Sequence, residues 1–426
     1  MKITQNLHEI KLNQVLDVSV DVHKEILNFF FNLEGKEYSD ECPNHTKSIE
    51  KRLSKYHGIA QEQGFARLRL ICEPTGEYQN KLLRTARRHG HLTCLVNTES
   101  VCNFCVIESN DTNKTDIKDP KVIATLGRLN KVIRHRVLAE DYQVLRKLGR
   151  IYHELDSDIT ALRCKIDRLL IELFCDFSFT KDFLYGNSGA VLIDRFGCNP
   201  YRIIETGFET FAATMKQEIP RIRKDTITRL WQDSESSVLN ELLPGYRDVL
   251  EEQFRDLIAR FRDRECRKER IVEQMKIILR RLRDDDPRIP PPTAGVISEK
   301  YLALLVAETG PLADFRSWRQ LMRFAGLNIR MRQSGKYMGK NKISKKGSPL
   351  LRKVLNHIVL PLVRTGWLYG DYYHKKREAE KMAGTKAMTI VSRHFLRKFH
   401  GWYKSGAAFD EKRFFACEAE YLKKAA

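Results

Sequence analysis

The stretch QVLDVSVDV, Gln14 to Val22, alternates apolar and polar residues with a period of two. That period marks a strand, whose successive side chains leave to opposite faces. Leu16, Val18, Val20 and Val22 then share one face, while Asp17, Ser19 and Asp21 share the other. Two aspartates on one face are unusual for a sheet that helices cover, so the same stretch opens a fold and points to a site.

Outward from it, EILNFFFNL, SIEKRLSKYHGIAQEQG, ARLRLICEPTG, YQNKLLRTARRHG, HLTCLVN and PKVIATLGRLNKVI alternate strand-like and helix-like pieces. This order predicts an α/β domain over residues 1–138. From 139 to 288 the pattern changes to a heptad run, with Leu148, Tyr152, Leu155, Ile159, Leu162, Ile166, Leu169 and Leu173 spaced alternately by four and three. A long helix with a coiled-coil seam is expected there. LYGNSGAVLIDRFGCNPYRIIETGFETFAATM reads as irregular, and the helical period returns near Leu239 and runs to Leu282. The two helices either pair antiparallel in one subunit or supply a dimer stripe. The prolines of DDDPRIPPPTAG, Asp284 to Gly295, end a helix and stiffen a linker. Beyond it, residues 289–426 read as mostly α, with helices in EKYLALLVAETG, SWRQLMRFAGL, LLRKVLNHIVLPLV and AMTIVSRHFLRKFHGWY.

Composition narrows the partners. The chain of 426 residues carries 75 Lys+Arg against 55 Asp+Glu, a formal net charge of +20. A phosphate backbone is the first polyanion such a surface attracts, because neutralised phosphates release counterions. An anionic membrane surface is the rival, but no apolar run reaches the roughly 20 residues that a spanning helix needs. The start MKITQNLHEIKLNQ lacks a signal-peptide apolar region, and ten cysteines fall without a disulfide-like framework, so a cytoplasmic protein is expected. His91, Cys94, Cys102 and Cys105 have paired soft ligands, but the gap is short for zinc and Cys94 sits in a strand-like HLTCLVN.

Four acids carry chemistry more readily than structure. Asp21 lies on the polar strand face, and Glu73 ends an apolar run just before Pro74-Thr75-Gly76, at a strand-to-turn edge. Asp116 and Asp119 precede Pro120, which suits a first helical position and makes Asp119 the expected N-cap. Acids gathered at one sheet edge repel one another unless a divalent ion holds them ionised. Carboxylate oxygens are the ligands Mg²⁺ prefers, and paired ions assist phosphoryl transfer. Asp17 competes with Asp21 for the first place, being on the same strand face.

The motifs VDVHKEIL, CEPTGEY and NKTDIKDPKVIA resemble, in order, the acidic motifs of the DEDD transposases of the insertion-sequence one-ten family, which include Piv-type DNA invertases. FAGLNIRMRQSG, KISKKGSPLLRKVL and KFHGWYKSGAAFD resemble that family's C-terminal transposase domain. The resemblance implies a RuvC-like, ribonuclease-H-type first domain in which Asp21, Glu73, Asp116 and Asp119 bind Mg²⁺. Two departures stand out: Pro120 directly follows the fourth acid, and PPTAGVISEKY only loosely matches the family's glycine hairpin.

Ser334 sits in RMRQSGKYMGKNKISKKGSPLLRK among Arg330, Arg332, Lys336, Lys340, Lys342, Lys345, Lys346 and Arg352. Spacing alone favours a loop that grips phosphate, with the serine donating a hydrogen bond. The resemblance makes Ser334 the expected nucleophile, forming a transient phosphoserine link to DNA. Its expected partners are donor and target DNA, a non-coding guide (bridge) RNA that supplies specificity by base pairing, and further copies of the chain in a dimer or tetramer. The nucleoid of a bacterial cytoplasm is the implied location. A metal-dependent junction endonuclease using water, and a non-catalytic nucleic-acid-binding scaffold, are the alternatives.

Overall fold

A computed structural model of the chain describes residues 15–109, 118–330, 333–334, 337–339, 342–364 and 369–415. The chain divides into two compact units, Met1–Val137 and Leu138–Ala426.

The first unit is built on a six-stranded mixed sheet. Its elements in chain order are β1 (Val15–Val22), β2 (Ile26–Leu33), β3 (Lys36–Pro43), α1 (Thr46–Glu62), β4 (Arg67–Cys72), α2 (Asn80–Arg88), β5 (Leu92–Leu95), α3 (Thr98–Ser109), α4 (Lys118–Arg128) and β6 (Ile133–Arg134). The strand order is β3-β2-β1-β4-β5-β6. β1, β2 and β3 form an antiparallel meander, whereas β1, β4 and β5 run parallel. The β2–β3 turn is Glu34-Gly35, with φ of 52° and 86°, and it joins the paired residues Leu33 and Lys36. Positive φ at both central residues gives the turn whose twist matches that of the strands. The parallel crossovers run through α1 and α2, as the chirality and length of such connections require.

The period-two reading of β1 is borne out. Leu16, Val18, Val20 and Val22 join Leu27, Phe29, Phe31, Leu68 and Leu70 in one core, closed by Ile49, Leu53 and Tyr56 of α1 and Leu82 and Leu83 of α2. The opposite face is covered by α4, whose Val122, Ile123 and Leu126 pack with Ile71 and Cys94. Strand β3 escaped the sequence reading, because this edge strand buries only Cys42 and is otherwise polar or half-exposed. Helix α4 begins at Lys118, so Asp119 lies inside its first turn and is not the N-cap. Pro120 still costs no hydrogen bond there, since first-turn N–H groups have no partner in the helix.

The second unit is helical, apart from small ribbons. Helices α5 (Glu140–Leu173), α6 (Lys181–Leu184), α7 (Asn187–Phe196), α8 (Pro200–Thr206), α9 (Phe208–Glu218), α10 (Lys224–Val238) and α11 (Pro244–Asp285) come first. α5 and α11 pack antiparallel, as the pairs Asp141–Arg281, Asp156–Lys268 and Glu172–Tyr246 show. The heptad residues Tyr152, Leu155, Ile159, Ile166 and Leu173 are buried within the chain itself, so this stripe is spent on intrachain packing. The segment read as irregular is instead four short helices, α6 to α9, broken at Gly186, Gly197 and Gly207. With α10 they close a core on Ile166 and Leu170 of α5, Phe174 just after it, and Phe254, Ile258 and Phe261 of α11.

The rest of the unit comprises α12 (Glu299–Thr309), a 3-10 turn at Leu312–Asp314, α13 (Trp318–Phe324), β7 (Ile329–Arg330), β8 (Gln333–Ser334), β9 (Tyr337–Met338), β10 (Lys342–Ile343), α14 (Pro349–Leu362), α15 (Gly370–Glu378), α16 (Gly384–Ser405) and α17 (Glu411–Phe415). These helices share one core with Tyr142, Leu145 and Tyr152 of α5 and Met275 to Leu282 of α11. Among the described residues no helix is long and apolar enough to cross a membrane.

Candidate active site

Register sets the two aspartates of β1 in different surroundings. Asp17 lies directly across from Arg69 of β4 in the parallel ladder. The Arg69 guanidinium, only 7% exposed, grips both Asp17 oxygens, with Nε 2.6 Å from Oδ1. α4 lies tight above this pair, because a Cβ at Gly127 would stand 2.6 Å from Ile71 Cδ1 and 3.4 Å from Asp17 Oδ2. Asp17 is therefore neutralised under a helix, where a bidentate fork fixes it.

Asp21 is placed differently. Val20 pairs with Cys72, so Asp21 and Glu73 are the next residues as β1 and β4 run side by side to their carboxyl ends. Both are buried, and both act on the Cys72 thiol, which burial, Cys94, Asp21 and Glu73 together push up to about 12. The carboxyl ends of parallel strands are where open α/β sheets bind ligands. Asp21 Oδ2 meets His23 Nε2 at 3.0 Å. Glu73, 9% exposed, has no hydrogen-bond or ion-pair partner among the described residues.

Two side chains that the sequence reading missed hold the loops of this end. Asn44 Nδ2 donates to His23 O at 2.9 Å and to Tyr78 O at 3.1 Å, tying the turn after β1 to the turn after β4. Gln79 accepts from Thr75 N at 3.1 Å and donates to Gly76 O at 2.8 Å, which locks the turn that Glu73 enters. Gly76 has φ +74°, a conformation in which an L side chain is strained. A glutamine four residues beyond Thr75 was a readable local signal, whereas nothing in the linear sequence links Asn44 to positions 21 and 34 residues away.

Asp116 lies outside the described residues, and so does the side chain of Asp119. The backbone of Asp119 is placed: Pro120 lines the same cleft as His23 and Ile26, while Gly127 sits over Asp17. α4 thus runs against β1 and starts at the Asp21 end. Among the described residues no three histidines, cysteines or carboxylates gather as a metal site, and Cys94 of the weighed zinc set is a buried residue of β5. The donor chemistry at Asp21 and Glu73 nonetheless suits a divalent cation, since adjacent buried carboxylates that no lysine or arginine answers among the described residues are held ionised by one.

The serine stands in the second unit on a narrow ribbon. Arg330 of β7 pairs with Lys342 of β10, and Ser334 of β8 with Tyr337 of β9. Side-chain positions of Ser334, and residues Arg332, Lys336 and Lys340, lie outside the described residues. Arg330 and Lys342 are exposed and directly opposed, an arrangement of like charges that costs energy until an anion answers it. Lys345 and Lys346 follow at the ribbon's return.

The base of the ribbon is bolted down. Gly347 packs against Phe324 and Gly326 so closely that a Cβ would stand 2.3 Å from Phe324 O. Arg352 Nη1 donates to Ala325 O at 3.0 Å, to Gly347 O at 3.1 Å and to Ser348 O at 3.3 Å. Ser348 caps α14 through Leu351 N and donates its hydroxyl to the buried Glu308 at 2.6 Å. Arg352, read from sequence as a phosphate contact, here spends part of its guanidinium on the protein backbone.

Two family profiles give the class to which this mixed sheet and helical unit belong, a DNA transposase. Residues 18–175 match a transposase profile of the DEDD IS110 type, and residues 295–374 match the profile described as Transposase IS116/IS110/IS902 family. The chain belongs to the IS110-type DEDD transposase family. No curated protein matches it.

Proposed function

We propose that the protein is the RNA-guided recombinase of an insertion sequence, cleaving, exchanging and rejoining DNA strands with Ser334 as nucleophile and Asp21, Glu73, Asp116 and Asp119 as Mg²⁺ ligands. The observation that carries this reading is the contrast along the first sheet: Asp17 is gripped by the Arg69 guanidinium, whereas Asp21, which meets only the His23 ring among the described residues, and Glu73 stand buried at the carboxyl ends of β1 and β4. The strand order of the first unit, a meander followed by two parallel strands, supports a RuvC-like fold. By role we divide the chain into a catalytic domain (1–138), a helical middle (139–288) and a C-terminal transposase domain (289–426).

In the reaction, Ser334 Oγ gives up its proton to solvent and bonds to the scissile phosphorus, the ester bond to one sugar breaks, and the departing sugar oxygen takes up a proton from solvent. The reverse attack by a sugar hydroxyl on the phosphoserine rejoins the strand and frees the serine. Asp21 and Glu73 hold the ion on fixed strand ends; Mg²⁺, when bound, supplies Lewis-acid stabilisation of the phosphate oxygens. Arg330, Lys342, Lys345 and Lys346, with Arg332, Lys336 and Lys340, would supply positive charge against that which builds on the phosphate. Donor DNA, target DNA and a bridge RNA are the partners, with the protein acting as a homo-oligomer.

The test is recombination between donor and target plasmids with the flanking non-coding RNA present or withheld. Product only with RNA, and a covalent protein–DNA adduct that Ser334→Ala abolishes, are expected. Cleavage and joining that survive Ser334→Ala would instead establish the junction-endonuclease chemistry.

A further inference from the structure

We propose that the β6 edge of the first unit is a track for the backbone of a DNA strand that leaves the acid end, built by Arg84 and Arg87 of α2 and by Lys131, Arg134 and Arg136 around β6. The track deepens the recombinase reading and rests on it for what the acids act upon.

The sequence supplies the charge, and the fold gathers it. Residues 78–91 and 128–139 carry eight lysines and arginines and no carboxylate. α2 packs beside β5, and β5 pairs with β6, so the two segments meet at one edge of the sheet. Arg87 Nη1 donates to His135 Nδ1 at 2.8 Å, which joins the end of α2 to the residue after β6. Burial and the neighbouring Arg84 both push the Arg87 guanidinium below its ordinary value, so cations crowd here before any anion arrives. Among the described residues no carboxylate pairs with Arg84, Arg87 or Lys131. Uncompensated like charge weakens the compact state, and a polyanion relieves it.

Register relates this edge to the acids. Val20, Cys72, Leu95 and Ile133 form one row across β1, β4, β5 and β6. Asp21 and Glu73 stand one residue beyond that row, and Arg134 one residue behind it, opposite Cys94. Opposed residues share a face, so Arg134 emerges on the face of Cys94 and Ile71, which is also that of Ser19 and Asp21. His135 emerges on the other face, where Arg87 of α2 meets it. The cations therefore stand on both sides of one edge. β6 lies two strand spacings from β4, about 10 Å. A stacked strand covers that distance in about three nucleotides. A strand held at the acids thus reaches Arg134 first and crosses the edge toward Arg84 and Arg87.

Contacts to recurring phosphates position a polymer without reading its sequence, which suits a row of cations with no built pocket. DNA is favoured over other polyanions because the edge is continuous with the acid row of a chain in the DEDD transposase family.

The experiment uses the full chain without divalent metal and a fluorescent thymidine oligonucleotide of about fifteen residues, its anisotropy titrated from about 50 to about 300 mM salt. Arg84→Gln/Lys131→Gln removes two exposed cations. It should weaken binding roughly tenfold at the lowest salt and flatten the slope of log affinity against log salt by about 1.4. Lys216→Gln/Lys224→Gln takes the same charge from exposed positions of the second unit and should do neither. Equal losses in the two double variants, or none in the first, overturn the track. A loss seen only with a uridine oligoribonucleotide assigns the edge to RNA, and one seen only with phosphatidylserine vesicles assigns it to a lipid surface; either result overturns it as well. Weakened DNA binding in the first variant, beside a wild-type protein that does not recombine plasmids, retains the track and sinks the catalytic reading. Recombination by the wild type with an unweakened first variant does the reverse.

Discussion

The acid pair and the serine ribbon solve the problem of placing a reactive group in opposite ways. Asp21 and Glu73 inherit their positions from a six-stranded sheet, where hydrogen-bond register and a two-faced core fix every strand end. Ser334 stands on a strand of two residues, and the described anchors of its ribbon are at the foot, in Arg352, Gly347 and Ser348. A sheet-borne group is fixed along its whole strand, whereas the described part of the ribbon is anchored at its root. That division suits the proposed metal site and a proposed nucleophile that would have to meet a large polymer.

The comparison breaks first at the acids. Glu73→Ala and Asp21→Ala are expected to lower plasmid recombination roughly a thousandfold, with little change in urea unfolding midpoint. If the activity persists, the acids are structural and the scaffold reading gains. The ribbon has the inverse signature at its foot. Gly347→Ala forces a Cβ onto Phe324 O, and a stability loss of about 3 kcal/mol with loss of strand exchange is expected in denaturant titration, while Ser334→Ala should lose exchange at unchanged stability.

Within the sheet, Arg69→Met leaves the Asp17 carboxylate under α4 without its fork and should cost about 2–3 kcal/mol. The double variant Asp17→Leu/Arg69→Met should recover most of that loss, since two apolar residues replace the pair. Beneath the ribbon, Lys353 of α14 and Lys268 of α11 each reach Asp156 of α5 at 2.9 Å. Burial alone would raise this carboxyl, but the two lysine hydrogen bonds hold it down, at about 2. A depressed carboxyl stabilises the fold above its unfolded value and loses that contribution as pH falls through the folded one. About 2 kcal/mol should therefore disappear between pH 4 and pH 2, and Asp156→Asn should flatten that part of the stability profile.

The sequence disclosed what local periodicity encodes. The alternation in β1, the long helices and the proline boundary were legible because each signal lies within one element. β3 was not, because a polar edge strand has no apolar alternation; its only mark was Glu34-Gly35, the turn before it. The short helices between Lys181 and Glu218 were obscured by their glycine breaks. At the candidate site, motif order pointed to Asp21 and Glu73, but the partner that sets Asp17 apart from Asp21 lies 52 residues away in Arg69. The double duty of Arg352 was equally hidden, because its carbonyl partners are fixed by tertiary packing and carry no side-chain signature.

The cross-strand fork of Asp17 and Arg69 also acts as a proofreading device on the folding chain. A slip of one residue between β1 and β4 would turn Asp21 into the apolar core, and it would also set Arg69 against a leucine or valine with no carboxylate to receive it. The misregistered sheet is penalised at a point four residues before the chemistry, so the reactive end is checked before it is complete.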